Sequence, residues 1–263
     1  MTRRRILALG GHEFDRRAGN DAICDLIVDL AESPRPRICL LPTASGDPED
    51  QIARFRRAFG ERDCIPQVIS LFRLGEDPVD LRDELLAQDV IYAGGGSMLN
   101  LVAIWRAHGL DAILHEAWER EIVLAGLSAG AMCWFDGGVT MSSGPPEVID
   151  GLGFLPGSLS VHADGEPGRL PVFYDAIRSG ALPGGWALDD GVGLVMEGDE
   201  VSRIVSSRPG ATALRVDAVS SEIVRSRTQP ALLGDGGRGV SADIREFRAL
   251  SDASRRNARR TSR

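Results

Sequence analysis

EIVLAGLSAGAMCWF, residues 121–135, runs an apolar segment into a glycine-bracketed serine and out again into an apolar stretch that reads as a helix. Its centre, Gly126-Leu127-Ser128-Ala129-Gly130, fits G-x-S-x-G, the pattern of a nucleophile held on a sharp strand-to-helix turn. A hydroxyl at the end of a buried strand faces a cleft only if the chain turns very tightly. Small residues two positions to either side relieve the crowding that such a turn creates. The helix expected after Ser128 would aim free N–H groups and its positive end at the same point, which favours a developing oxyanion. The competing reading is a small residue in an ordinary tight turn.

Working outward, the first half alternates short apolar runs with amphipathic stretches. Strands are expected at 5–9, 38–42, 67–72, 90–93 and 122–126, and helices at 21–32, 48–59, 79–88 and 98–119. Such alternation predicts a parallel sheet covered on both faces, and the continuously apolar strands suit burial on both sides. Beyond Ser128, glycine and proline become frequent, so loops are expected to dominate until about residue 170. A helix at 171–179 and short strands at 186–188, 193–197, 200–205 and 213–216 follow, read as antiparallel hairpins completing the sheet. With no repeat and no clear linker, residues 1–250 are expected to form a single domain. Residues 251–263, polar and arginine-rich, read as a disordered tail.

A second glycine cluster, Ala93-Gly94-Gly95-Gly96-Ser97, ends the preceding strand. Ends of adjacent parallel strands open on one edge, where ligands bind. The N–H groups of Gly95, Gly96 and Ala129 are therefore expected to form an oxyanion hole facing Ser128. A phosphate loop is disfavoured, since neither G-x-G-x-x-G nor a Walker pattern is present.

The chain has four histidines. His12 follows the first strand and reads as a loop or substrate contact, whereas His108 and His115 fall in a charged helical segment. His162, in the polar stretch after residue 160, is the best candidate for a general base, because catalytic groups concentrate on loops of a rigid scaffold. A histidine base needs a carboxylate to hold its tautomer, and Asp164, Glu166, Asp189 and Asp190 are the candidates.

Composition narrows the partners. Hydrophobic residues make up 43% and charged residues 26%, enough for a packed core. A formal net charge of -8 argues against a general nucleic-acid binder. Four scattered cysteines (Cys24, Cys39, Cys64 and Cys133), with no CxxC pair, read as reduced core thiols and suggest neither disulfides nor a metal site. The apolar run after Arg5 is too short for a signal segment, and no stretch reaches the roughly 20 apolar residues of a membrane span. The expectation is a soluble, cytoplasmic protein without a cofactor, a monomer or homodimer.

Five segments in order resemble the S51 serine peptidases, the group of peptidase E (aspartyl dipeptidase) and cyanophycinase. They are YAGGGS (92–97), GLSAGAMCWF (126–135), GLGFLPGS (151–158), HADGEPGR (162–169) and ALDDGVGLVMEGD (187–199). The resemblance implies a flavodoxin-like α/β fold related to class I glutamine amidotransferases, which carry cysteine where Ser128 stands. It implies hydrolysis of small peptides with an N-terminal aspartate, with Ser128 attacking, His162 shuttling the proton and Asp190 as the acid. Some members place the acid shortly after the nucleophile, where this chain has Ser142-Ser143. For substrate recognition it points to Arg169 for the aspartyl side chain, to Asp164 or Glu166 for the α-amino group, and to Ser97 in the pocket wall. Two departures stand out: Ser97-Met98 replaces the family's Asn-Thr, and Val161 and Ala163 flank His162 in place of proline and tyrosine. They motivate a second reading, the same catalysis on a specialised peptide or amino-acyl conjugate. A non-catalytic binding protein on the same fold is a third.

Overall fold

The structure, a computed structural model, describes residues 3–11, 14 and 21–234. His12 and residues 251–263 lie outside them. Five strands, β1 (Arg5–Leu9), β2 (Arg37–Leu41), β3 (Ile65–Val68), β4 (Val90–Ala93) and β5 (Val123–Leu127), run parallel in the order β1-β5-β4-β2-β3. Because successive strand residues point to opposite faces, each strand feeds two cores. Leu7, Leu9, Leu40 and Tyr92 pack with Ile23 and Ile27 of α1 (Asp21–Leu30) and with Phe55 and Phe59 of α2 (Glu49–Gly60). Ile6, Ala8, Leu41 and Ile91 face the other way. They meet Leu101 and Trp105 of α4 (Met98–Ala107) and Leu114 and Trp118 of α5 (Leu110–Glu119). Leu85 of the short α3 (Leu81–Leu86) joins that second core. The result is a mostly parallel sheet with helices on both faces, as expected for the flavodoxin-like class.

Several boundaries differ from the sequence reading, each for a local reason. The expected helix over 98–119 is two helices, because Gly109 turns left-handed (φ 68°) between them. The strand expected at 67–72 ends at Val68, and Leu71–Arg73 forms a 3-10 turn. The helix after Ser128 is a single turn, α6 (Ala129–Met132), so it supplies N–H groups at the turn but no long dipole.

The largest correction concerns residues 135–160, expected to be loop. They hold β6 (Phe135–Thr140), β7 (Glu147–Asp150) and β8 (Leu155–Ser160), half of a second sheet. This sheet runs β13-β12-β9-β8-β6-β7, adding β9 (Gly185–Leu188), β12 (Ala213–Val219) and β13 (Glu222–Thr228). Three of the glycines that suggested loop, Gly137, Gly138 and Gly151, are places of close backbone approach. A Cβ on Gly138 would stand 2.2 Å from the Leu159 carbonyl oxygen of the neighbouring strand. Phe173, Ala176 and Ile177 of α7 (Arg169–Ser179) cover one face of this sheet, against Val139, Ala187 and Val216. Of the expected C-terminal strands, only β10 (Val192–Glu197) and β11 (Glu200–Ser206) extend the first sheet, antiparallel beyond β1, with β14 (Ala231–Leu232) beside β11.

The two sheets meet where the chemistry-bearing loops leave them. β8 pairs parallel with β9, and the Ala163 N–H donates to the Leu188 carbonyl at 3.0 Å, so the segments following these strands run together. Gly191 N–H donates to Gly11 carbonyl at 2.6 Å, joining them to the end of β1. The turn at Ser128 depends on Gly126 and Gly130, since a Cβ on Gly126 would lie 1.9 Å from the Gly130 carbonyl oxygen. Gly126→Ala should therefore destabilise the protein by about 1–3 kcal/mol, the cost of overpacking. Urea unfolding of the variant against the parent measures this, and an unchanged midpoint would contradict it.

Candidate active site

Ser128 sits between β5 and α6 with φ 53° and ψ −113°, a conformation that L-residues rarely adopt and that costs on the order of 1–3 kcal/mol. The cost is met by neighbouring bonds. The Ser128 N–H donates to the Leu9 carbonyl at 3.0 Å, and its own carbonyl accepts from Ala131 and Met132, both at 2.9 Å. The side chain is thereby presented at the carboxyl edge of the first sheet, in a cavity of about 500 Å³.

His162 follows β8, also with a left-handed backbone (φ 54°). Its Nε2 lies 2.9 Å from Ser128 Oγ and its Nδ1 lies 2.5 Å from Asp190 Oδ1. Asp190 comes from the segment after β9, so first-sheet serine and second-sheet histidine and aspartate form one hydrogen-bonded chain. Gly11 lies directly beneath it: a Cβ there would fall 1.8 Å from Asp190 Oδ1 and 2.8 Å from His162 Nδ1. Only glycine leaves room at that position for imidazole and carboxylate to meet.

Gly95 and Gly96 line the same cavity, and a Cβ on Gly95 would stand 3.4 Å from Ser128 Cβ. Among the described residues, the N–H groups of Gly95, Gly96 and Ala129 donate to no protein acceptor. Gly96 is left-handed in φ (143°), and a Cβ there would strike the Ala44 carbonyl oxygen at 2.3 Å, so the loop is tied to the turn after β2. Cys133 is buried, its thiol pushed well above the ordinary range by that burial, and its Sγ donates to the Gly130 carbonyl at 3.3 Å. Such a thiol is no nucleophile.

The other candidate acids have different tasks. Asp189 Oδ2 accepts from the N–H and hydroxyl of Thr212, at 2.8 and 3.0 Å. Asp164 Oδ1 accepts the Asp190 N–H at 2.9 Å, while its Oδ2 is ion-paired with Arg208. Glu166 N–H donates to the His162 carbonyl at 2.7 Å and its carboxylate pairs with Arg169. His108 ends α4 and His115 lies exposed against Trp118 and Phe154, both remote from this chain of bonds.

The residues expected from the sequence to bind substrate lie outside the cavity lining. Arg169 is only 6% exposed, and its guanidinium serves Glu166 and the Val139 carbonyl (2.7 Å) rather than the cavity. Ser97 caps α4, its Oγ accepting the Asn100 N–H at 3.2 Å. Ser142 caps the same turn, accepting the Met98 N–H at 2.9 Å. Asp164 and Glu166 have committed their carboxylates and do not line the cavity. The cations that do line it are Arg54 of α2 and Arg208 after β11, together with Gln51 and Phe14. Sequence proximity to His162 singled out an arginine that does not line the cavity, and nothing in the local pattern marks Arg54 or Arg208.

A doubly wound sheet with a serine, a histidine and a carboxylate joined at its carboxyl edge has the architecture of a hydrolytic enzyme. The chain belongs to peptidase family S51, whose model matches residues 6–204. It is 44% identical over 220 residues to YgaJ of Bacillus subtilis, an uncharacterized peptidase, covering 84% of this chain and 95% of YgaJ. It is 26% identical over 212 residues to the cyanophycinase of Synechococcus elongatus, covering 76% of this chain and 65% of that protein. The crystal structure of a peptidase from an acI-B1 Actinobacterium superposes with a TM-score of 0.64 at 15% identity, over 89% of this chain and 96% of that one, a likeness of fold. No helix among the described residues is long and apolar enough to cross a membrane.

Burial tends to raise the Asp164 carboxyl, but the Arg208 guanidinium and the Asp190 N–H together hold it below the usual carboxylate range. A carboxyl depressed in the folded state stabilises the fold above its unfolded pKa, near 4, and loses that contribution as pH falls through the folded value. The stability difference between the parent and Asp164→Asn should thus be constant from about pH 5 to 7 and shrink below about pH 4. Urea unfolding across that range checks this; a difference that persists unchanged below the window would contradict it.

Proposed function

We propose that the chain is a serine peptidase that hydrolyses small peptides, dipeptides with an N-terminal aspartate first among them, through an acyl-enzyme on Ser128. The observation that carries the reading is the unbroken chain from Ser128 Oγ through His162 to Asp190. His162 Nε2 takes the hydroxyl proton as Oγ attacks the peptide carbonyl, then gives it to the leaving amine as the C–N bond breaks. Water repeats the exchange: it loses a proton to His162, adds to the ester carbonyl, and Ser128 Oγ leaves with that proton. Asp190 holds the Nδ1–H tautomer and stabilises the imidazolium formed at each transfer. The free N–H groups of Gly95, Gly96 and Ala129 receive the oxyanion.

Two further facts support the assignment. The chain contains no lysine, so a serine–lysine arrangement is not available, and Cys133 is inert. Among the described residues lining the cavity, Asp190 is the one carboxylate and is engaged by His162, while the guanidinium groups of Arg54 and Arg208 reach the wall from their pairs with Asp50 and Asp164. That balance favours a substrate with an anionic side chain. Four buried free thiols suit a reducing compartment, in keeping with work in the cytoplasm.

The test is a fluorophosphonate probe together with Asp-X, Glu-X and neutral dipeptides. The parent should be labelled and should cleave Asp-X best. Ser128→Ala should lose both, and Asp190→Asn should lower kcat about 10²–10⁴-fold with the protein still folded. Labelling without dipeptide turnover would transfer the same catalysis to a larger peptide or amino-acyl conjugate. A parent with neither would overturn the enzyme reading in favour of a binding protein.

A further inference from the structure

Three carboxylates, those of Asp164, Asp189 and Asp190, lie within electrostatic reach of Arg208 on the segments after β8 and β9, and their partners set them apart. Asp190 meets Nδ1, and Asp189 is held by Thr212. Asp164, two residues past His162, turns so that one oxygen accepts the Asp190 backbone N–H while the other pairs with Arg208. Asp164 thus ties the segment after β8 to the segment after β9, at the residue whose side chain orients the base. Arg208 reaches this cluster from the turn after β11, where Ser206 Oγ accepts the Arg208 N–H at 3.0 Å and donates to its carbonyl at 2.9 Å. That turn lies beyond residue 204, where the match to the family model ends.

We propose that Asp164 is a positioning residue for the Ser128–His162–Asp190 chain, with Arg208 as the counter-ion that makes its charge tolerable beside Asp190. The inference rests on the reading of Ser128 and His162 as the reacting pair. Asp164 acts through Asp190: it fixes the backbone from which the Asp190 carboxylate reaches Nδ1, opposite the Gly191–Gly11 bond that holds the next residue. Arg208 balances two carboxylates that would otherwise stand close with one imidazole between them and Ser128. Among the described residues, the other charged groups near this cluster have partners of their own. Asp189 is held by Thr212, Glu166 is paired with buried Arg169, and Arg54 faces the cavity from α2 while bonding Asp50 at 2.7 Å.

The charges give the test a sign. Asp164→Asn keeps an oxygen for the Asp190 N–H but leaves the Arg208 cation unopposed, which disfavours the imidazolium. The acid limb of kcat/KM should move down by about half a pH unit, with kcat within about threefold of the parent. Arg208→Gln leaves Asp164 and Asp190 unbalanced, favours the imidazolium, and should move the same limb up by a similar amount. Asp164→Ala removes the acceptor itself and should lower kcat about tenfold or more with KM little changed, since small misplacements of a catalytic group are costly.

Rates are normalised to sites titrated by the fluorophosphonate probe, so that unfolded protein does not count. The proposal is overturned if Asp164→Ala keeps the parental kcat and pH profile, or if the two charge variants fail to shift the acid limb in opposite directions. Ser128→Ala separates the two levels. If it still labels, the reading of the reacting pair falls and takes this inference with it. If labelling is lost there while the Asp164 and Arg208 variants behave like the parent, only the positioning role is refuted.

Discussion

The candidate active site hangs on contact between backbones. Gly126 lies so close to the Gly130 carbonyl, and Gly130 so close to the Ala93 carbonyl (2.3 Å from a built Cβ), that no side chain fits between them. This allows β5 to reverse into α6 within a single residue and forces Ser128 into its strained conformation. The strain is sustained because the Leu9, Ala131 and Met132 backbones hold the serine on both sides. Gly11 performs the same service for the other half of the site, clearing the space in which His162 and Asp190 meet.

Around that frame, charge is distributed so that each ionised group has one task. Asp190 serves the imidazole, Asp189 serves Thr212, Glu166 serves Arg169, and Asp164 stands between the Asp190 backbone and Arg208. Such pairing limits the desolvation that partly buried carboxylates would otherwise suffer, and it leaves His162 with one carboxylate at Nδ1 and one hydroxyl at Nε2. An imidazole so flanked has its tautomer chosen by its surroundings. The four buried cysteines complete the division, since burial raises the Cys39 thiol to about 12 and Cys133 well above its ordinary value.

The parallel sheet was legible because β1, β2, β4 and β5 are compact apolar runs buried on both faces, whereas β3, Ile65-Pro66-Gln67-Val68 at the sheet's edge with no buried residue, was placed two residues late. Ser128 was legible because a strained turn demands glycines at fixed spacing. His162 could be found by elimination among four histidines. The second sheet was hidden for a related reason: Gly137 and Gly138 look like loop residues, yet they sit inside β6 because the Ile149 and Leu159 carbonyls come too near for any side chain. A glycine announces a steric requirement without saying whether a turn or a neighbouring strand imposes it.

Local sequence thus determined most elements of the parallel sheet and the glycine-bracketed turn at Ser128, which depend on interactions spanning a few residues, and it narrowed the candidate bases to His162. The partners of the charged groups were decided only by the tertiary structure. Arg169 lies seven positions from His162 yet turns under β6, while Arg208, forty-six positions away, reaches the cluster behind it. Charges act over ångströms of space, and the convergence of β8, β9 and β11 on the end of β1, rather than distance along the chain, sets which of them meet.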